Sequence, residues 1–270
     1  MSSKKEGFEK IVSDIKSIKI QGANNVAKAA LSAYSLIPTE KSKKILLDSR
    51  PTEPMMHKVL QLAEKNPPGK ILKHFQASQE KINNLVLNLI KKDKIIFTHC
   101  HSTSVSKALA NAHRKGKKFE VYLTETRPLY QGRKTAKDLK NAGIKVTMFV
   151  DSSLGIVLSG EQGFKKPDKI LIGADAILKT GVINKVGSEL LARIAKEEKI
   201  PFYIVSDSWK FTNNKVPIEQ RPLNEVWNKA PRNIKIKNPA FEFVHKKYIS
   251  GIISEFGIMS YINFLKKVSL

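Results

Sequence analysis

A single cysteine, Cys100, occurs in 270 residues, so no disulfide can form within the chain. That scarcity is what a protein of the reducing cytoplasm is expected to show. No apolar run approaches the ~20 residues that span a bilayer, which argues against a membrane protein. The start of the chain leads into an amphipathic pattern rather than the apolar core of a signal peptide. Neither Gly-x-Gly-x-x-Gly nor a Gly-x-x-x-x-Gly-Lys-Ser/Thr loop is present, so nicotinamide dinucleotides and P-loop nucleotides find no support. Acidic residues are few, 24 against 48 Lys+Arg, leaving a formal charge of +24. Such a field attracts anions, among them nucleic acid, membrane surfaces and phosphorylated metabolites. The lysines are spread along the chain, and aromatic residues at 7% form no RNA-binding signature beside them. A solvated lysine surface is therefore expected, rather than a dedicated nucleic-acid face.

What is present divides into two textures. In the first third, Phe8, Ile11, Val12, Ile15 and Ile18 recur at helical spacing, and further helices are expected from Val26, over Met55 to Glu64 and over Lys70 to Leu89. In the last of these, Leu72, Phe75, Ile82, Leu85 and Leu89 are expected to face a core. Beyond about residue 91, short β-rich runs alternate with helical patterns. The strands expected are Ile95–Thr98, Phe119–Thr124, Lys145–Val150, Lys169–Ile172, Phe202–Val205 and Phe241–Val244. Helices are expected over Ser104–Lys115, Thr135–Ala142, Val186–Glu198 and Tyr248–Glu255. The alternation predicts an α/β fold: an N-terminal helical domain, residues 1–90, followed by a Rossmann-like doubly wound parallel sheet, residues 91–270.

In such sheets the site lies beyond the carboxyl ends of the strands. Those ends are polar here: Thr98-His99-Cys100, Glu125-Thr126-Arg127, Asp151-Ser152-Ser153, Gly173-Ala174-Asp175 and Ser206-Asp207-Ser208-Trp209-Lys210. Cys100, at a strand-to-helix turn, could be a thiolate favoured by helix N–H groups or a small buried hydrophobe. Asp175 could equally cap the turn that follows it. Helix N-termini after Gly22-Ala23-Asn24 and around Ser102-Thr103-Ser104 offer backbone N–H groups to anions. His99 and His101 flank the cysteine, but no other Cys/His cluster completes a zinc site, so no metal is expected.

Four ordered motifs carry a resemblance: Thr124 to Gly132 (TETRPLYQG), Gly173 to Ile177 (GADAI), Gly181 to Gly187 (GVINKVG) and Pro201 to Phe211 (PFYIVSDSWKF). They resemble the superfamily of the regulatory subunits of eukaryotic translation initiation factor 2B, methylthioribose-1-phosphate isomerase and archaeal ribose-1,5-bisphosphate isomerase. The isomerases use a cysteine after the first strand and an aspartate in Gly-Ala-Asp, and Cys100 and Asp175 match that pair. The short chain, without Arg-Gly-Ala-Pro-Ala near its start, is similar to the ribose-1,5-bisphosphate enzyme. The resemblance implies an isomerase making ribulose 1,5-bisphosphate in nucleotide salvage, with Cys100 taking a proton and Asp175 acting as acid. It implies substrate contacts at Gly22, Ala23, Asn24, Arg50, Ser102, Thr103, Ser104, Asn184, Lys185 and Lys210, and a cleft-shaping role for Arg127, Gln131 and Gly132. A homo-oligomer, a dimer or a trimer of dimers, is implied as well. The chemistry calls for no organic cofactor. Gln21 stands where the isomerase carries an arginine, and Asp151-Ser152-Ser153-Leu154-Gly155 is closer to the regulatory subunits. The alternative is a non-catalytic regulatory protein that binds a sugar phosphate or nucleotide.

Overall fold

The computed structural model describes residues 2–91, 94–218 and 220–269. Lys92 and Asp93, inside the expected domain junction at 90–93, lie outside the described residues. Five helices come first: α1 (Ser2–Lys16), α2 (Ala23–Leu36), α3 (Glu40–Ser49), α4 (Pro54–Ala63) and α5 (Pro68–Leu89). α3 escapes a reading by apolar period because only Leu46 and Ser42 are buried along it. It is set instead by its cap, where Thr39 Oγ1 accepts the Ser42 N–H at 3.2 Å. Phe8 and Ile15 of α1 pack with Val26, Ala30, Leu46 and Met56. Ile18 departs from the expected helix face: it lies beyond α1 with φ 62°.

α5 serves two cores. Ile71 and Phe75 pack with Ala27, Leu31, Met55 and Val59 of α2 and α4, whereas Ile82 and Val86 join the core beneath the sheet. Its buried stripe is Ile71, Phe75, Ser78, Ile82 and Val86. Leu72, expected in the core, is one position off that stripe and 45% exposed.

The rest of the chain builds a seven-stranded sheet in the order β10-β9-β7-β4-β1-β2-β3. Its strands are β1 (Ile95–Thr98), β2 (Glu120–Thr124), β3 (Lys145–Phe149), β4 (Lys169–Ile172), β7 (Phe202–Val205), β9 (Gly251–Ser254) and β10 (Gly257–Met259). All neighbours pair in parallel except β10 on β9. Every residue of β1 is buried, as expected for a strand covered on both faces. Ile95 and Phe97 face the core that holds α8 (Leu154–Ser159), α9 (Ser188–Glu197) and α10 (Tyr261–Val268), while Ile96 faces α5, α6 (Thr103–Arg114) and α7 (Gln131–Asn141). The sheet is thus doubly wound.

Two expectations need correction. Tyr248–Glu255 is no helix: its apolar run Ile252-Ile253, buried on both faces, forms β9 instead. Short apolar runs do not separate a buried strand from a buried helix, and the β-branched pair decides for the strand. Phe241–Val244 is a strand, β8 (Phe241–His245), but it does not join the main sheet. It completes a small antiparallel sheet with β5 (Ala176–Ile177) and β6 (Gly181–Lys185).

α7 begins four residues before the expected Thr135 because Gly132 lets it press against the end of β2. A Cβ there would stand 1.9 Å from the Thr124 carbonyl oxygen. Gly132→Ala should therefore cost roughly 1–3 kcal/mol of stability, a few degrees in thermal unfolding. Gly155→Ala in α8, where nothing lies within 4 Å of the added methyl, should leave the midpoint level or slightly raised.

Candidate active site

The order β2-β1-β4 contains a topological switch point, with crossovers leaving β1 on one side and arriving at β4 on the other. Open α/β sheets place ligands in the crevice at such a point. Cys100 follows β1 there, with φ 64°, in the left-handed region that a side chain disfavours. Two contacts hold it, one of them from a residue that is strained in the same way. The Cys100 N–H donates to Thr126 Oγ1 at 3.0 Å, the Thr135 hydroxyl donates to the Cys100 carbonyl at 2.9 Å, and Thr126 is itself left-handed at φ 61°. The Asp151 carboxylate in turn accepts the N–H groups of Thr126 at 2.9 Å and Arg127 at 2.6 Å. Asp151, from the end of β3, is thus a clamp on the loop beneath the cysteine. His99 points away from Cys100 into the protein, where Nε2 donates to the Val186 carbonyl at 2.9 Å and Nδ1 lies 2.6 Å from Thr124 Oγ1. Both its ring nitrogens are occupied, so it offers no metal ligand.

Beside β1, the end of β4 delivers Gly173-Ala174-Asp175. Gly173 is required by proximity, since a Cβ would come within 2.7 Å of Ser102 Oγ. Ser102 caps α6, accepting the Val105 N–H at 3.4 Å. The Asp175 N–H donates to the Ile183 carbonyl at 2.8 Å, which ties the acid to β6 and so to Asn184 and Lys185. Asn184 donates to Ser188 Oγ at 2.9 Å, and the Lys185 ammonium stands 4.8 Å above the Phe241 ring. Lys210, in the short turn after β7, donates to the Ala174 carbonyl at 2.6 Å.

The helices close the other side. Gly22 caps α2, so Gly22, Ala23 and Asn24 present a helix N-terminus. Arg50, at the end of α3, pairs with Glu53 at 3.5 Å. Every residue expected to be catalytic or to touch substrate lines one cleft: Cys100 and Asp175, the two helix N-termini at Gly22–Asn24 and Ser102–Ser104, and Arg50, Asn184, Lys185 and Lys210; of the three expected to shape it, Gln131 lines it while Arg127 and Gly132 do not. The three cations are only 8%, 7% and 8% exposed, unlike the solvated lysines of the surface. Glu53, Arg221 and His101 also line the cleft and were missed or set aside in the sequence. Arg221 comes from a long loop without apolar period and is held by Glu225; no pattern announces it.

Burial pushes the Cys100 thiol up to about 11 against the pull of the Lys185 ammonium. The resting group is therefore a thiol, not the thiolate that a helix N-terminus alone would favour. The reason is desolvation, which here outweighs the local dipoles and the nearby ammonium.

Behind Lys210 lies a second set of ionisable groups. His74 of α5 stacks on Trp209 at 3.6 Å and approaches both Asp207 oxygens, at 3.2 and 3.1 Å. Asp207 also accepts the Trp209 N–H at 2.9 Å, and Glu255 accepts from the Ser208 N–H at 3.1 Å and from its hydroxyl. Burial raises the Asp207 carboxyl, but the hydrogen bonds and charge facing it, His74 foremost, outweigh that and hold it below the ordinary range. Burial, then the Asp207 charge, raises Glu255. His74, Asp207 and Glu255 have one ligand atom each within 4.8 Å of one another, the one such group among the described residues. Their atoms are already engaged in hydrogen bonds that fix the Lys210 turn to α5.

The described residues include no helix long and apolar enough to cross a membrane. Residues 40–261 match the Initiation factor 2 subunit family. A protein of Methanocaldococcus jannaschii called ribose 1,5-bisphosphate isomerase is 34% identical over 94% of this chain and 91% of its own. One of the same description from Thermococcus kodakarensis is 32% identical over 96% and 92%. Among solved structures, translation initiation factor eIF-2B of Pyrococcus horikoshii superposes with a TM-score of 0.81 at 26% identity, covering 94% of this chain and 96% of its own.

Asp207→Asn should destabilise the protein at pH 7 by about 1–3 kcal/mol, because a charged acceptor for His74 and the Trp209 N–H is lost. Asp207 is depressed in the folded state, so its contribution is complete above the unfolded carboxyl pKa and fades as pH falls through the folded one. The difference in unfolding midpoint between wild type and variant should shrink accordingly between pH 7 and pH 3. An equal difference at both would show that the charge contributes nothing.

Proposed function

Since the chain belongs to the Initiation factor 2 subunit family, we propose that it is a sugar-phosphate isomerase converting ribose 1,5-bisphosphate to ribulose 1,5-bisphosphate. The observation that carries this reading is the single cleft at the β1–β4 switch point, where Cys100, Asp175, three buried cations and two helix N-termini meet. Each helix N-terminus suits a phosphate, and each cation adds charge where water is largely excluded. Asn184 is placed to meet a sugar hydroxyl.

The reaction itself asks for proton transfers and nothing redox. The C2 proton leaves, its bond pair forms C1=C2, the C1–O4 bond breaks and O4 takes a proton. The enol O2–H is then lost and C1 is protonated, so two protons depart and two arrive. We assign these exchanges to Cys100 and Asp175. Cys100 takes the C2 proton as a thiolate and returns it to C1; the burial that raises the thiol to about 11 makes that thiolate a strong base once it forms beside the Lys185 ammonium. Asp175 serves O4 and O2. The likeness to the isomerases supports placing the chain in cytoplasmic nucleotide salvage as a homo-oligomer, with residues 1–90 as helical unit and 91–270 as catalytic unit.

A second reading, a regulatory protein that binds a sugar phosphate or nucleotide without turning it over, draws on Gln21 in the cleft and on the initiation-factor fold. Incubation with ribose 1,5-bisphosphate separates the two: ribulose 1,5-bisphosphate should accumulate with wild type. No product at any pH, with AMP present or absent, would favour the regulator. Cys100→Ser should lower kcat at least about 100-fold with an unchanged circular dichroism spectrum. A fully active variant removes the thiol from the mechanism. Lys210→Met should act mainly through KM, raising it by about tenfold or more through loss of a phosphate partner.

A further inference from the structure

We propose that His74 is a positioning residue of this cleft: by holding Asp207 and Trp209 it sets, from the N-terminal helices, where the Lys210 ammonium stands. The proposal rests on the reading of the cleft as a sugar-phosphate site and names a residue outside it on which phosphate binding depends.

Lys210 cannot place itself. Its ammonium ends a flexible four-carbon stem, and that stem leaves a turn of three residues, Ser208–Lys210. The ammonium reaches the Ala174 carbonyl at 2.6 Å, one residue before Asp175. A shift of the turn would break that contact and displace the charge.

The turn is seated from two sides. From the sheet, Glu255, just after β9, accepts from the Ser208 N–H at 3.1 Å and from its hydroxyl. From the helices comes His74 of α5, whose Nε2 lies 3.2 and 3.1 Å from the two Asp207 oxygens. A carboxylate only accepts, so Nε2 is the donor. The same imidazole lies flat on the Trp209 indole, with centroids 3.6 Å apart and 5° between the planes. Asp207 in turn accepts the Trp209 N–H at 2.9 Å. His74, Asp207 and Trp209 thus form a closed ring of contacts, and Lys210 is the next residue along the chain.

Trp209 carries the tie further. It packs against the cluster that holds Ala23, Leu31, Met55 and Phe75, with the Phe75 ring edge-on at 5.7 Å. Every other described member of that cluster comes from α2, α4 or α5. Ala23 is the first residue of α2 and lines the cleft, as Lys210 does. One indole therefore sets Lys210 in register with the helix N-terminus opposite it, and His74 keeps that indole and its cap from turning. The imidazole touches neither the substrate nor the reacting atoms; it acts through the lysine.

Steady-state kinetics of the full chain test this. His74→Ala should raise KM for ribose 1,5-bisphosphate about tenfold while kcat stays within about threefold of wild type. His74→Gln, whose amide N–H can still reach Asp207, should bring KM back to within about threefold. A uniform loss of activity at unchanged KM, as a smaller folded fraction would give, overturns the proposal, and so does a Gln variant no better than the Ala one. The sharper readout is a double-mutant cycle. In the Lys210→Met background, His74→Ala should shift KM by less than about twofold, because the group it positions is gone. A second increase of about tenfold there would show that His74 acts on something else, and refutes the role. If wild type makes no ribulose 1,5-bisphosphate, the isomerase reading fails, and the same variants are compared by their calorimetric dissociation constants for ribose 1,5-bisphosphate, with the same expectations. A wild type that neither converts nor binds the compound overturns both.

Discussion

The left-handed turn at Cys100 is the constraint on which the site depends. A non-glycine residue in that region costs of order 1 kcal/mol, and here two such residues, Cys100 and Thr126, lean on one another through a single hydrogen bond. The strain persists because the Asp151 carboxylate accepts the backbone N–H groups of Thr126 and of Arg127 beside it. Thr135 secures the same turn from α7. One short loop therefore sets the position of the thiol.

Around that turn the fold concentrates positive charge where it is costly to bury. Arg50, Lys185 and Lys210 are nearly enclosed, and each is steadied by a group that does not neutralise the cleft as a whole: Glu53, the face of Phe241 and the Ala174 carbonyl. An anionic ligand seated among them would supply compensating negative charge, so that binding energy and electrostatic relief would come from the same contact. The cations outside the cleft have no such role. Most of the lysine excess is solvated, and the net charge works at a distance by drawing anions toward the protein.

Much of this was legible in the sequence because strands and their ends obey local rules. Ile95-Ile96-Phe97 reads as a fully buried strand, and the polar residues after each strand mark the edge where sites form. Cys100, Asp175 and Lys210 fall into one cleft for that reason, whereas Gly22–Asn24 and Arg50, which the resemblance implied, reach it from the helices. What could not be read has physical causes. Ile252-Ile253 is ambiguous between helix and strand until the neighbouring β7 is in place to pair with it. Arg221 and Glu53 reach the cleft from segments whose course is set by tertiary packing. The protonation of Cys100 is invisible to sequence, since the helix start at Thr103 argues for a thiolate and only the depth of burial reverses it. The tautomer of His99 depends on Thr124 and Val186, residues 25 and 87 positions away.

Gly173 and Ser102 pack so closely that neither position can enlarge by itself. Two stretches of gene some seventy codons apart are thereby bound into one heritable unit. A lineage seeking a new substrate through larger side chains at either strand end would have to change both at once. The easier evolutionary route lies along the opposite wall, where residues such as Gln21 and Asn24 at the start of α2 can vary one at a time. Divergence of specificity within this fold should accordingly be recorded in the helices, with the floor of the cleft left as inherited.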